Sequence, residues 1–240
     1  RALSEAELVP GELLTLDLNF LVVNTGEHTV LIDSGMGNIV AGLQAAEIDL
    51  TSIDTVVLSH AHPDHIGGLL DENGRPRFSH ARHILPRVEW DFWITNPSLG
   101  ELLVSDDQRE WLRSAPRSVF PAIRDRLELV EFGQEVIPGI TVVEAIGHTP
   151  GHAAIELTSE GKRLLYMADA MTHAGLQFPH LEWVGGVDNW PAHSILTRRR
   201  LLDHDAGSDT LVMAAHFPFP GIGRVTKGDQ PGRWHWEPIR

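Results

Sequence analysis

Three imidazoles and one carboxylate fall within six residues of the stretch Ser59-His60-Ala61-His62-Pro63-Asp64-His65-Ile66-Gly67-Gly68. All four are metal-ligand types, and the apolar run Thr55-Val56-Val57-Leu58 just before them reads as a buried strand. Leaving that strand, His60 and His62 alternate with Ala61 and point to the same side, so both can approach one ion. Pro63 stops the strand. Asp64 and His65 then open a helix, whose N-terminal dipole favours a carboxylate and a neutral, ligating imidazole. A lone histidine here would read as a surface residue and a lone aspartate as a helix cap. The dense cluster reads instead as a metal site, and it requires further ligands downstream.

Those ligands occur where strands end. His148 follows the strand Ile140 to Ala145, inside Gly147-His148-Thr149-Pro150-Gly151-His152; Asp169 follows the strand Arg163 to Met167; His216 follows the strand Leu211 to Ala215. The economical allotment uses two divalent metal ions. His60, His62 and His148 hold one, Asp64, His65 and His216 hold the other, and Asp169 bridges them. Three or four protein ligands per ion leave room for a shared hydroxide, as a catalytic site needs and a closed structural site does not. Two cations about 3.5–4 Å apart supply such a hydroxide near neutral pH, for attack on a carbonyl carbon or a phosphorus. Asp64 and Asp169 are the carboxylates expected to take part in that chemistry. The chain has no cysteine, so the donors are nitrogen and oxygen only. That set suits zinc first, and manganese, iron or cobalt as well. An iron-dependent redox enzyme is the non-hydrolytic alternative.

A chain of 240 residues is long enough for one domain over 1–240, and it carries a net charge of −14. Such a balance disfavours nucleic acid as a partner and fits a small-molecule substrate at a local cationic centre. No apolar run has the length of a membrane span, and Arg1-Ala2-Leu3-Ser4-Glu5 lacks a signal-peptide pattern. A first residue other than Met implies upstream sequence, leaving a cytoplasmic or an exported protein. Leu13–Val23 and Thr29–Asp33 are expected to form a hairpin across Asn24-Thr25-Gly26-Glu27, and Ile39–Ile48 a helix. His80–Pro86 reads as a strand in which His80 and His83 are exposed or hydrogen-bonded. Ser105-Asp106-Asp107-Gln108 has the form of a capping box, so a helix starts there and is expected to break before Pro116, with a second piece over Ala122–Leu127. This helical insertion, near 105–127, is expected to lie across the site. Pro138-Gly139 is read as the turn between strands Leu127–Glu131 and Ile140–Glu144. A helix starts near Pro191, where Arg198-Arg199-Arg200 reads as a solvated face.

Around the ligands stand residues with less specific signals. Asp33 ends its strand either as a turn cap or as the partner that orients a metal-bound histidine. His152 is expected to orient its turn or a ligand. Val88-Glu89-Trp90-Asp91-Phe92-Trp93 is an aromatic cluster that reads as core or as the wall of a pocket for an aromatic or alkyl group. His173 reads as a loop histidine, with a pocket donor or proton shuttle as the sharper alternative. Trp183, Trp190, Trp234 and Trp236 read as core and strand-packing aromatics.

The full pattern His-x-His-x-Asp-His at His60, His62, Asp64 and His65, followed in order by His148, Asp169 and His216, resembles the metallo-β-lactamase superfamily. The resemblance implies an α/β fold, specifically a four-layer αββα sandwich with the metal pair at one edge, and it places Asp33 behind the ligands. Asp91-Phe92-Trp93, Gln177-Phe178 and Phe219-Pro220-Gly221-Ile222-Gly223 look most like methyl parathion hydrolase and its relatives. By that likeness the enzyme cleaves an organophosphate triester or a related ester, with Trp93, Phe178 and Phe219 at an aromatic substrate pocket and a homodimer as the assembly. N-acyl-homoserine lactonases and thioesterases of the same fold are the alternatives. The lactonases carry a tyrosine three residues after the bridging Asp, where this chain has Thr172, followed by His173; the chain's single tyrosine is Tyr166. A ribonuclease Z-like nuclease is disfavoured by the charge.

Overall fold

Alternation along short strands sorts the core into three apolar layers. The computed structural model describes residues 14–229 and 232–239. Its first sheet runs β1 (Leu21–Asn24), β2 (Thr29–Ile32), β3 (Thr55–Val57), β4 (Arg82–Pro86) and β5 (Leu127–Val130) in spatial order. β1 pairs antiparallel with β2, and the other neighbours pair parallel. The second sheet holds β6 (Glu135–Ile137), β7 (Ile140–Glu144), β8 (Ala153–Ser159), β9 (Lys162–Tyr166), β10 (Leu211–Met213), β11 (Ile222–Lys227) and β12 (Trp234–Pro238). Among the described residues only β9 and β10 run parallel within it.

Successive side chains on a strand point to opposite faces. Val30, Ile32, Val57 and Ile84 therefore meet Val142, Ile155, Tyr166 and Met213 between the sheets. Leu31, Val56 and Leu85 face outward, under α1 (Ile39–Ala45), α2 (Pro63–Ile66) and α4 (Asp106–Ile123). On the far side Ala154, Leu165 and Val212 pack beneath Leu201 and Leu202 of α6 (Pro191–Asp205). Helices thus cover both outer faces in the αββα order, because the parallel strands are apolar on both sides and need cover on each. Among the described residues no helix is long and apolar enough to cross a membrane.

Several boundaries differ from the sequence reading. The first hairpin strand is only Leu21–Asn24, and Leu13 lies outside the described residues. The first helix ends at Ala45 rather than Ile48. The strand with His83 starts at Arg82. The Pro138-Gly139 turn joins β6 to β7, whereas Leu127–Val130 belongs to the other sheet. The capping box forms as read, with Gln108 N–H donating to Ser105 Oγ and Ser105 N–H to Gln108 Oε1. The helix it starts nevertheless runs through Pro116 and Pro121 to Ile123. A mid-helix proline costs about 3 kcal/mol; burial of Leu112, Ala115, Val119, Phe120 and Ile123 on one face outweighs it. That face joins the outer layer of the first sheet, against α2 and α3 (Arg87–Ile94). Trp183 and Trp190 are about two-fifths exposed rather than core, while Trp234 is buried and Trp236 stacks on Phe178.

His83 is neither exposed nor hydrogen-bonded, contrary to expectation. It is fully buried, and neither ring nitrogen has a partner among the described residues. Burial, with help from Arg126, pushes its pKa down to about 4. The fold therefore accepts the neutral ring only. Its contribution is intact above the unfolded-state value of about 6.5 and is lost as pH falls toward the folded value. His83→Leu should consequently flatten the acid limb: the wild type loses about 2 kcal/mol more than the variant between about pH 7 and about pH 5. Urea unfolding at the two pH values measures this, and parallel losses would show that His83 is solvated.

Candidate metal centre

The site is built where the ends of β2 and β3 are stitched together. Asp33 N–H donates to the Val57 carbonyl (3.0 Å) and Ser34 N–H to the His65 carbonyl (2.7 Å). Asp33 itself takes the left-handed backbone conformation, with φ 56°, a placement that non-glycine residues adopt rarely and often at functional sites. Gly68 is required beside it, since a Cβ there would lie 2.1 Å from the Ser34 carbonyl oxygen. This geometry aims the Asp33 carboxylate under the histidine loop. Its Oδ1 accepts from Ser59 N–H (2.8 Å), and its Oδ2 accepts from Ser59 Oγ (2.7 Å), His65 Nδ1 (2.7 Å) and Tyr166 OH (2.8 Å).

One nitrogen of each key imidazole is thereby engaged, which decides what the other can do. His65 donates from Nδ1 to Asp33. The Ser59 hydroxyl gives its only proton to Asp33, so at 3.0 Å from His60 Nδ1 it accepts, and His60 donates. His148 donates from Nδ1 to Asp188 Oδ1 (2.9 Å), and His216 from Nδ1 to the Asp17 carbonyl (2.9 Å). Each ring is left with an Nε2 lone pair in its neutral form. Nε2 of His60, His62 and His65 and Oδ1 of Asp169 are buried without a hydrogen-bond partner among the described residues.

These lone pairs converge. Asp169 Oδ1 lies 3.1 Å from His65 Nε2, and its Oδ2 lies 3.2 Å from His148 Nε2 and 3.1 Å from His216 Nε2. His148 Nε2 is 3.0 Å from His62 Nδ1, and His216 Nε2 is 3.4 Å from Asp64 Oδ2. Three overlapping groups have ligand atoms within 4.8 Å of one another: His60, His62 and His148; His60, His65 and Asp169; Asp64, His65 and His216. The structure thus brings together all seven residues read as ligands. Acceptor facing acceptor at such distances, out of water, calls for a cation, and an all-nitrogen-and-oxygen set of this size fits two divalent ions.

The electrostatics point the same way. Burial, reinforced by the neighbouring imidazoles, pushes His60 and His62 well below the usual range, so they are neutral. Burial acts in the same direction at His148 and His216, yet Asp169 outweighs it and raises them to about 9 and about 10. Burial would raise Asp64, but His65 and His216 bring it to about 2; Asp169 is likewise held well below the carboxylate range by His216, His65 and His148. Both carboxylates are ionised and draw positive charge, which protons and divalent cations compete to supply.

The surrounding residues take distinct places. His152 uses both nitrogens: Nδ1 donates to the Ala145 carbonyl (2.9 Å), and Nε2 accepts from Asp169 N–H (3.1 Å). It therefore holds the Asp169 backbone. His173 lines a cavity of about 180 Å³ beside His216, together with Leu16, Asp17, Gly175 and Pro218. Gln177 Oε1 fixes that turn by accepting from the backbone N–H of Thr172 (2.7 Å) and of His173 (3.0 Å). Trp93 is buried, with its ring edge-on to His62 at 5.8 Å, and it borders a separate cleft with Trp90 and Phe120. Phe178 packs on Phe217 and Trp236 at the outer face of the second sheet. Phe219 is 83% exposed. Of the aromatics expected at one substrate pocket, Trp93 and Phe178 border different cavities, Phe178 one of about 510 Å³ with Trp234 and Trp236.

Sequence reasoning missed Asp188 and misread Arg198. Arg198 is 1% exposed. Its guanidinium pairs with Asp188 Oδ2 (3.3 Å) and donates to the carbonyls of Ala170 (2.7 Å), Leu181 (3.1 Å) and Trp183 (2.6 Å). It thus braces Asp188, and through it His148. The available signal was position: Ser194, Thr197, Arg198, Leu201, Leu202 and Asp205 form the helix's buried stripe at helical spacing. Asp188, in a glycine-rich loop, offered none. Arg198→Leu should destabilise by about 3–5 kcal/mol, because it strands a buried carboxylate, whereas the exposed Arg199→Ala should stay within about 0.5 kcal/mol. Denaturant unfolding distinguishes them, and equal small effects would mean that the whole run is solvated.

Comparison with known proteins agrees with this geometry. The sequence profile of the metallo-β-lactamase superfamily matches residues 17–206. An N-acyl homoserine lactonase from Bacillus sp is 25% identical over 180 residues, 64% of this chain. The chain spans 63% of that relative's length. Among solved structures, AidC, a dizinc quorum-quenching lactonase in complex with a product, superposes with a TM-score of 0.91 at 26% identity, covering 100% of this chain and 84% of that one. The hydrolase AbOPH of the beta lactamase superfamily gives 0.88 at 26% identity, over 100% and 85%. Where local motifs resemble methyl parathion hydrolase, these relatives include lactonases instead. A profile match across most of the chain, on the fold and ligand set just described, makes this protein a member of the metallo-β-lactamase superfamily.

Proposed function

We propose that this chain is a two-metal ester hydrolase whose substrates are N-acyl homoserine lactones. The observation that carries the reading is the convergence of buried, unpartnered lone pairs around Asp169, next to a cavity lined by His173 and His216. Lactonase relatives and the dizinc lactonase of the same fold support it. His60, His62 and His148 would hold one ion and Asp64, His65 and His216 the other, with Asp169 between them; zinc is the first candidate, and manganese, iron or cobalt suit the same donors. Bound there, the ions would polarise the ester carbonyl and make hydroxide available near neutral pH.

The chain's own residues do the rest. Asp64 and Asp169 stay ionised and accept hydrogen bonds, which orients the attacking water. Asp64 is the more exposed of the two, with 21% side-chain exposure against 4% for Asp169. A lactone leaves as an alkoxide and needs a proton donor. Tyr166 does not serve, since its hydroxyl is buried against Asp33. His173 Nδ1 accepts from Leu176 N–H (3.3 Å), so the neutral ring carries its proton on Nε2, and the residue lines the cavity beside His216. That N–H would stabilise the leaving oxygen as a hydrogen-bond donor while the alkoxide takes its proton from water, so the ring stays neutral.

A second reading, an organophosphate triester or related aryl ester, rests on the local likeness to methyl parathion hydrolase. Its aryloxide leaves without an acid. kcat/KM of zinc- and manganese-loaded protein on N-hexanoyl homoserine lactone and on a dimethyl aryl phosphotriester should favour the lactone; a preference for the triester would reverse the order of the two readings. His173→Phe should lower kcat on the lactone about a hundredfold and hardly alter turnover of an aryl ester. Equal losses on both substrates would remove His173 as hydrogen-bond donor to the leaving oxygen. A homodimer, implied by the same likeness, is checked by sedimentation equilibrium.

A further inference from the structure

Glu89, near the start of α3, is a carboxylate at 0% exposure with no ion-pair partner among the described residues. Four donors meet its two oxygens. Oε1 accepts from Ala61 N–H (2.9 Å) and Trp93 Nε1–H (2.7 Å), and Oε2 accepts from Thr149 Oγ1–H (2.6 Å) and Gly151 N–H (3.0 Å). Three of these donors cannot accept in return, and only the threonine hydroxyl could receive a proton from a neutral acid. The network is therefore shaped for the ionised carboxylate, although burial works to raise its pKa.

The donors come from two places that sequence separates widely. Ala61 sits between His60 and His62, whereas Thr149 and Gly151 follow His148. Trp93, the fourth donor, lies edge-on to the His62 ring at 5.8 Å. The second loop is seated directly on Glu89: a Cβ at Gly151 would come within 2.1 Å of Glu89 N and 2.4 Å of its Cα, so the turn after His148 must carry glycine there. One buried anion thus spans the two loops whose imidazoles face each other at 3.0 Å through His62 Nδ1 and His148 Nε2.

We propose that Glu89 is the positioning residue for the ion held by His60, His62 and His148: it sets the separation of the two loops and adds an uncompensated negative charge behind them. The proposal rests on the two-metal reading. It assigns Glu89 to one ion and not to the other, whose ligands His65 and Asp169 are braced by Asp33 and His152.

Zinc titration of the chelator-stripped full chain, in competition with a colorimetric chelator, reads this out. The wild type should take two ions. In Glu89→Gln one oxygen still accepts, but the amide NH₂ confronts two donors and the charge is gone. One binding phase should then weaken by about 10–100-fold, the usual size for a group behind a ligand, while the other stays within about twofold. ¹⁵N-histidine spectra recorded through the titration should show His62 and His148 shifting in the weakened phase. Thr149→Val and Trp93→Phe each remove one donor and leave the carboxylate; they should weaken the same phase by smaller factors, and they keep the test alive if Glu89→Gln does not fold. Two phases weakened equally, or neither, would overturn the assignment. A wild type that takes no zinc would instead overturn the two-metal reading itself, and this inference with it.

Discussion

An imidazole can ligate a metal only through a nitrogen that carries no proton, so the protein must decide where the proton sits. In this fold that decision is made by acceptors on the opposite side of each ring. Asp33 takes the His65 proton, Ser59 the His60 proton, Asp188 the His148 proton and the Asp17 carbonyl the His216 proton. Without them the same four histidines would exchange tautomers. The arrangement in turn depends on Asp33 accepting four hydrogen bonds in a left-handed backbone conformation and on the buried Arg198 steadying Asp188.

The two sheets exist, in functional terms, to bring these acceptors and their rings to one edge. β2 and β3 run parallel, so both deliver polar residues at the same end, Asp33 from one and the His60–His65 loop from the other. β9 and β10 form the only parallel pair of the second sheet among the described residues, and they deliver Asp169 and His216 side by side. Parallel pairing places the carboxyl ends of neighbouring strands together, which is where open α/β sheets generally hold their ligands. The apolar layers on either side of each sheet fix the strands, and backbone bonds such as Met167 N–H to the Met213 carbonyl (2.7 Å) fix the loops that leave them.

The seven residues that the structure brings together were legible in the sequence because each is a metal-binding residue type at or just beyond the end of an apolar strand, a signal that needs no knowledge of distant contacts. The partners were much less so. Asp188 is forty positions from His148, and nothing local in Gly185-Gly186-Val187-Asp188 distinguishes a ligand's partner from a turn residue. Arg198 was hidden by its neighbours: a run of three arginines reads as solvated, although only the residue on the buried stripe of α6 is enclosed. Pro116 misled for the opposite reason, since local propensity forbids what an apolar helix face then enforces. His83, with no hydrogen-bond partner among the described residues, shows that an apparently polar residue can be used as plain volume.

Substrate choice cannot come from the centre alone. A cluster of imidazoles and carboxylates that gathers divalent ions can attack many esters, so discrimination falls to what the substrate meets beyond it. Here the loop after Asp169 is decisive. It carries no phenol at Thr172, and it is pinned instead by Gln177 so that His173 closes one side of the cavity at His216. The aromatic residues expected at one aryl pocket are divided, Trp93 bonded to Glu89 and Phe178 packed on Phe217 and Trp236 beside a different cavity. A small cavity with an N–H donor on its wall would discriminate by leaving group, favouring an ester whose departing oxygen needs stabilising over one that leaves unaided. On that physical difference, rather than on the cluster of imidazoles and carboxylates, rests the proposed order of lactone before aryl ester.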